Sequence, residues 1–194
     1  MPPVSWIPTA FGNCSSMADA ASSADLVAFY ASVDRAVSAL EARHREQLHC
    51  GHGCSACCVD DLTVFAVEAD RIRREAAEVL LQAPGPSGMC AFLDAAGGCR
   101  IYAVRPYVCR TQGLPLRWLE DDEADEEAPA EYRDICPLNE EDIDLVALDE
   151  DACWTIGPHE GMLAEHQRDT HQGRMTRVAL RDLFQAPAPS ADLS

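Results

Sequence analysis

A chain of 194 residues has room for one domain of ordinary size, and its fifteen basic residues, all arginine, are outweighed to a net charge of −18. That balance leaves no basic face to neutralise phosphates, which excludes nucleic acid as a partner. The opening Met-Pro-Pro-Val-Ser-Trp-Ile-Pro lacks the basic and apolar regions of a secretory signal, and no later stretch is suited to crossing a membrane.

In chain order, residues 1–22 are small, polar and proline-rich and are expected to form a flexible N-terminal segment, with Cys14 alone in it. The domain proper is expected over residues 23–184. Leu26, Phe29, Tyr30, Val33, Val37, Leu40, His44 and Leu48 then recur at helical spacing, with Ser22 and Asp25 as a capping box, and predict an amphipathic helix running into Cys50. Gly51 and Gly53 end it and permit the positive φ angles of a tight loop. Val59 to Phe65 reads as a short strand. Glu68 to Leu81 reads as a second helix, with Ile72, Ala76, Val79 and Leu80 inward and Arg71, Arg73, Arg74 and Glu75 outward.

Pro84-Gly-Pro-Ser-Gly88 breaks the chain. Met89–Leu93 and Cys99–Tyr102 flank a turn and predict a β-hairpin, and a turn or short helix opens near Pro106. Glu120 to Glu131 has no apolar period and reads as a mobile acidic insertion. Asn139 is placed to cap a helix through Asp149 with Ile143, Val146 and Ala147 inward, and helices are expected over Pro158–His171 and Arg174–Phe184. Residues 185–194 read as a disordered tail. Trp6, Trp118 and Trp154 are expected to be packing residues.

Charge is unevenly spread. Sixteen acids against one arginine lie between Glu120 and Asp151, a balance of −15 that leaves −3 for the rest of the chain. Such a strip is first a solvated surface; its sharper reading is a docking strip for a basic protein partner along residues 120–151.

Ten cysteines in a chain with no secretory signal are read in the reducing cytosol, as metal ligands or redox groups. Four fall within nine residues, Cys50-Gly-His-Gly-Cys54-Ser-Ala-Cys57-Cys58, and eight lie between positions 50 and 136. Thiols this close converge most often on a soft metal ion. Neighbouring Cys57 and Cys58 are expected to point apart, so the pair would feed two adjacent centres or one multinuclear cluster. Arg100, Arg105 and Arg110 are placed to offset thiolate charge. His52 within the loop and His49 beside it are weaker ligand candidates, and His159 and His166 lack the pattern of a zincin. No phosphate loop, nucleophile elbow or nucleotide fingerprint is present.

The run Cys50 to Cys58 resembles the opening C-x-x-G-C-x-x-C-C of the YkgJ-like cysteine-cluster family, whose members are described as zinc- or iron-chelating domains. Cys90-Ala-Phe-Leu-Asp, Cys99-Arg-Ile-Tyr, Arg105-Pro106 and Cys109-Arg110 resemble its second block, and Cys136 its last cysteine. The resemblance covers about residues 45–138. It implies a metal-chelating role for Cys50, Cys54, Cys57, Cys58, Cys90, Cys99, Cys109 and Cys136, and leaves Cys14 and Cys153 outside the pattern. Two Zn(Cys)₄ sites would use all eight thiolates, whereas one [4Fe–4S] cluster would use four. Some flagellin lysine methylases look similar across the cluster, which keeps an iron–sulfur protein with redox or methyltransferase-related work as the alternative.

The expected fold is therefore a small, mainly helical α+β cytoplasmic domain, centred on metal and containing a short β-hairpin. Leu, Ile, Val and Phe number only 40, so the core is thin and bound metal is expected to add to the folding free energy.

Overall fold

The computed structural model describes residues 14–51, 53–120 and 129–184. The expectations for residues 1–13, His52, the acidic residues 121–128 and the tail 185–194 lie outside the described residues, Trp6 among them. The described part is a mixed α+β domain with five α-helices and two small sheets.

Helix α1, Cys14–Arg43, buries the stripe read from the sequence: Leu26, Phe29, Tyr30, Val33, Val37 and Leu40 all face the core. It begins before Ser22, so the Ser22–Asp25 pair lies inside the helix and does not start it. It also stops short of Cys50. His44 turns inward, its Nε2 lying 2.8 Å from the Ala152 carbonyl, and the Gln47 and Leu48 amides bond back to the His44 carbonyl at 2.9 and 3.0 Å.

Strand β1, Thr63–Phe65, is shorter than expected and leads into α2, Ala66–Glu75. Glu68, at the third helical position, accepts from the Phe65 amide at 3.3 Å and so satisfies a donor that the helix start leaves free. The helix breaks at Ala76 and resumes for one turn as α3, Ala77–Leu80. Arg71, expected outward, is buried instead. Its guanidinium lies 4.3 Å from the Tyr30 ring centre and pairs with Glu75, so an amphipathic side chain covers apolar surface while its charge stays matched.

The hairpin expected around Cys90 and Cys99 reduces to a single Leu93–Cys99 bridge. Asp94 closes the turn by accepting from Ala96 and Gly98 amides, both at 2.8 Å, while Arg100 takes the Ala83, Ala91 and Phe92 carbonyls. Side chains thus supply bonds that a longer ladder would have made. Beyond Pro106 comes the expected short helix, α4, Tyr107–Arg110.

Both ends of the acidic segment are strands: β2, Leu116–Glu120, pairs antiparallel with β3, Ala130–Asp134, with Leu119 opposite Glu131. Cross-strand pairs account for this. Trp118 stacks on Tyr132 at 5.7 Å on one face, and Arg117 meets Glu131 at 2.8 Å on the other. Strand β4, Trp154–Thr155, adds in parallel to β2, giving the order β3-β2-β4.

The helix expected over Asn139–Asp149 is replaced by short 3₁₀ turns. Ile143 is buried as expected, but Val146 is 89% exposed and Ala147 is also exposed. The Asp144 carboxylate accepts from the Val146 amide, and Arg133 binds the Leu145 and Leu148 carbonyls at 2.7 and 2.6 Å, so local side chains win over helical bonding. Helix α5, Pro158–Thr170, forms where expected, with Pro158 in its first turn and Glu160 accepting from Gly157 at 2.6 Å.

Arg174–Phe184, read as a helix, is strand β5, Arg177–Ala179, followed by a 3₁₀ helix, Leu180–Phe184. Val178 pairs opposite Val64, and Arg177 lies over the Phe65 ring while donating to the Thr63 carbonyl at 2.7 Å. Pairing with β1 overrides local helix preference.

Two apolar clusters flank α2. One joins the α1 stripe to Val67, Tyr107, Leu114, Trp154 and Leu163; the other gathers Val64, Ile72, Phe92, Leu93, Ile101, Leu180 and Leu183. Trp154 is the packing residue expected of it. Among the described residues no helix is long and apolar enough to cross a membrane.

Candidate metal centre

Two consecutive turns shape the first cysteine loop: the Cys54 amide bonds to the Gly51 carbonyl at 3.0 Å, and the Cys58 amide to Ser55 at 2.9 Å. The second block joins it through the backbone, the Cys90 amide donating to the Cys58 carbonyl at 2.9 Å. Gly53 and Gly97, with φ of +86° and +77°, meet where the loop crosses the 94–98 turn. A Cβ on Gly97 would stand 3.2 Å from the Gly53 oxygen.

Seven of the eight expected cysteines line one cavity of about 420 Å³. Cys50, Cys54, Cys57 and Cys58 come from the loop, Cys90 and Cys99 from the second block, and Cys109 from α4. Leu62, Phe92, Leu93, Ile101 and Leu180 form apolar walls. Cys136 stands outside the lining but is an electrostatic neighbour of Cys50. The nine cysteines from Cys50 to Cys153 are free thiols.

Cys57 and Cys58, expected to point apart, both line this cavity. The neighbouring Cys58 thiol holds Cys57 down at about 6 and Cys57 in turn drives Cys58 up, with Arg105 also favouring the Cys57 thiolate. Burial raises Cys50, Cys90 and Cys99. Cys109 is pushed up to about 12, first by burial and then by the thiols of Cys90, Cys99 and Cys57 beside it.

The donor set fits a soft cation: several sulfurs, apolar walls and one guanidinium nearby. Among the described residues, however, no three His, Cys, Asp or Glu side chains stand close enough to hold one ion as placed. The backbone delivers the thiols to a common cavity without closing them into a ligand shell.

The arginines divide by task. Arg105 lies over the Tyr102 ring and acts electrostatically on Cys57 and Cys99. Arg110 lines the cavity, but its guanidinium pairs with Asp34 and covers Tyr30, bracing α4 against α1. Arg100 is occupied by backbone carbonyls.

Three positioning residues carry no cysteine signature and were not legible as such. Asn139, fully buried, accepts from the His49 amide at 2.8 Å and donates to the Gly113 carbonyl at 2.8 Å and to Cys50 Sγ at 3.5 Å. Its own amide bonds to the Cys136 carbonyl at 2.8 Å. Glu68 accepts from the Tyr30 hydroxyl at 2.7 Å and the Tyr107 amide at 2.8 Å, fixing the start of the helix that carries Cys109. Arg181 pairs with Asp60 and binds the Gly85, Pro86 and Met89 carbonyls, holding the approach to Cys90 from the far end of the chain.

Gly113 permits the closest approach. A Cβ there would lie 2.5 Å from Cys50 Sγ, and its φ is +92°. Gly113→Ala is therefore expected to displace the Cys50 thiol and cost about 2 kcal/mol from backbone strain alone. A lower melting temperature and altered thiol reactivity would record this; an unchanged melt would contradict it.

The remaining candidates fall away from the cavity lining. His159 packs against Phe29, Tyr107 and Trp154, and Cys153 lies buried with Arg133 and Arg117 as its charged neighbours. His49 enters the site through its backbone amide.

No curated protein and no solved structure is detectably similar to the chain. A family model does match, and its span takes in the loop, the second block and Cys136. Residues 49–137 match the model of the CxxCxxCC family, described as "Putative zinc- or iron-chelating domain".

Proposed function

We propose that the chain chelates zinc or iron through Cys50, Cys54, Cys57, Cys58, Cys90, Cys99, Cys109 and Cys136. The observation that carries this reading is the opening of seven of these thiols into one apolar-walled cavity. Uptake of a cation displaces protons from thiols that burial holds protonated, so binding strengthens as the pH rises. Arg105 offsets part of the thiolate charge. A bound ion would tie the first loop to the second block and add its binding free energy to folding.

The metal-binding domain would span residues 23–184, with its core at 45–138. Leu180, beyond the family match, supports that extent by walling the cavity. A reducing, cytoplasmic setting rests on the cysteine content of the sequence alone. A basic partner on the acidic strip 120–151 rests on charge alone.

Elemental analysis of protein made without oxygen tests the reading. Stoichiometric zinc or iron is expected, lost together with stability in Cys54→Ser or Cys57→Ser, and a chelator should lower the melting temperature. Metal content unaltered in both variants would contradict the ligand assignment. A brown protein bleached by reductant would favour the iron–sulfur reading over colourless zinc.

A further inference from the structure

Resting on the reading of the thiol cavity as a cation site, we propose that metal reaches it through the surface groove beside Cys50, and that Glu41 is the carboxylate that captures the cation there. Glu41 acts in transit and is not a lasting ligand.

The groove has a volume of about 490 Å³. It shares three lining residues with the thiol cavity, Glu41, Cys50 and Gln112, so the two spaces meet across that rim. Each residue comes from a different part of the chain. Glu41 lies in the last turn of α1, Cys50 opens the first loop, and Gln112 follows α4. All three are exposed, whereas Cys90 is buried. Their surroundings fix the rim: Asn139 donates to Cys50 Sγ at 3.5 Å, and Gln112 donates to the Val108 carbonyl at 3.2 Å. Gly113, where a Cβ would stand 2.5 Å from the Cys50 sulfur, leaves that sulfur room.

Charge singles out Glu41. Among the described residues it is the one acid lining either space; the other charged residues there are Arg45, Arg105 and Arg110. A hydrated dication therefore meets guanidinium groups along both walls and a carboxylate only at the rim. Arg110 is matched by Asp34. Among the described residues the Glu41 carboxylate has no hydrogen-bond or ion-pair partner, Arg45 included, so its charge is free to act on an incoming ion.

The chemistry runs in the same direction. A carboxylate oxygen suits a cation that still carries its water, while sulfur suits zinc or iron once that water is shed. Transfer needs one exchange at the rim. The bond from metal to the Glu41 oxygen breaks as a bond to Cys50 Sγ forms, the thiol proton leaves to solvent, and no oxidation state changes.

The test follows Co²⁺ uptake by the full-length, metal-free chain, kept reduced without oxygen, through the absorption of cobalt–thiolate bonds. Glu41→Gln is expected to slow uptake about tenfold at low salt, with the gap closing as sodium chloride is added. The equivalents bound at the end should be unchanged. Glu46→Gln, which removes a likewise exposed acid that lines neither space, should leave the rate alone. An unchanged rate in Glu41→Gln, equal slowing in both variants, or lost equivalents in Glu41→Gln would overturn the entry assignment while leaving chelation intact. A natural chain that gives no cobalt–thiolate absorption would overturn chelation itself, and the route with it.

Discussion

Glu68→Ala is expected to destabilise the protein by about 4 kcal/mol, because three donors lose their acceptor together and each orphaned buried group costs roughly 1–3 kcal/mol. Those donors are the Tyr30 hydroxyl and the amides of Tyr107 and Phe65, from three different elements. Two effects compete at this carboxylate. Burial disfavours its charge, whereas the three hydrogen bonds favour it, and burial prevails, so the folded carboxyl titrates above the ordinary 4.5.

The sign of the pH dependence follows. Between the unfolded and the raised folded value, the folded state holds more protons, so stability falls as pH rises through that window. The contribution is complete below the unfolded value and gone above the folded one. Glu68→Gln should flatten this slope. Its oxygen can still serve Tyr30 and Tyr107, but its NH₂ opposes the Phe65 amide, so a loss smaller than that of the alanine variant is expected. Denaturant unfolding at several pH values separates the outcomes. A steep slope surviving in Glu68→Gln would show that another group is responsible.

Asn139→Ala is expected to cost about 2 kcal/mol, since it removes the acceptor of the part-buried His49 amide and the donor to the buried Gly113 carbonyl. Unlike Glu68, Asn139 also bears on a thiol. Its loss frees Cys50 Sγ and unlinks the Cys50 and Cys136 segments, so metal held at that end should weaken beyond what the melt alone explains. Asn139→Asp makes a sharper probe. A carboxylate can still accept from His49 but must face the Gly113 carbonyl and the Cys50 sulfur with no proton to give. Asp is therefore expected to fail nearly as badly as Ala; a stable Asp variant would show that the donor side of Asn139 is dispensable.

The parts of this structure legible from sequence are those whose signal is local. The α1 stripe from Leu26 to Leu40 is a periodic pattern, and the structure buries every one of its residues. The loop cysteines are contiguous, so their shared cavity follows from spacing. Pattern failed where distant side chains settled the backbone. Asn139–Asp149 carries a helical pattern, but Arg133 claims carbonyls that a helix would use. Arg177–Ala179 became a strand because Thr63–Phe65 lay across from it. Arg71 looked like a surface residue until Tyr30 supplied a ring to cover.

The site shows the same division. A cysteine announces itself in a sequence, while Asn139, Glu68 and Arg181 matter only through partners many positions away. Cys57 and Cys58 show that adjacency alone does not send two thiols to different places, because both line the same cavity.

X-ray absorption at the metal edge, on full-length protein purified without oxygen, puts the main idea at most direct risk. Sulfur should be the whole inner shell, at about 2.3 Å if the metal is zinc. A shell of oxygen and nitrogen, or a folded chain with no metal at all, would contradict it.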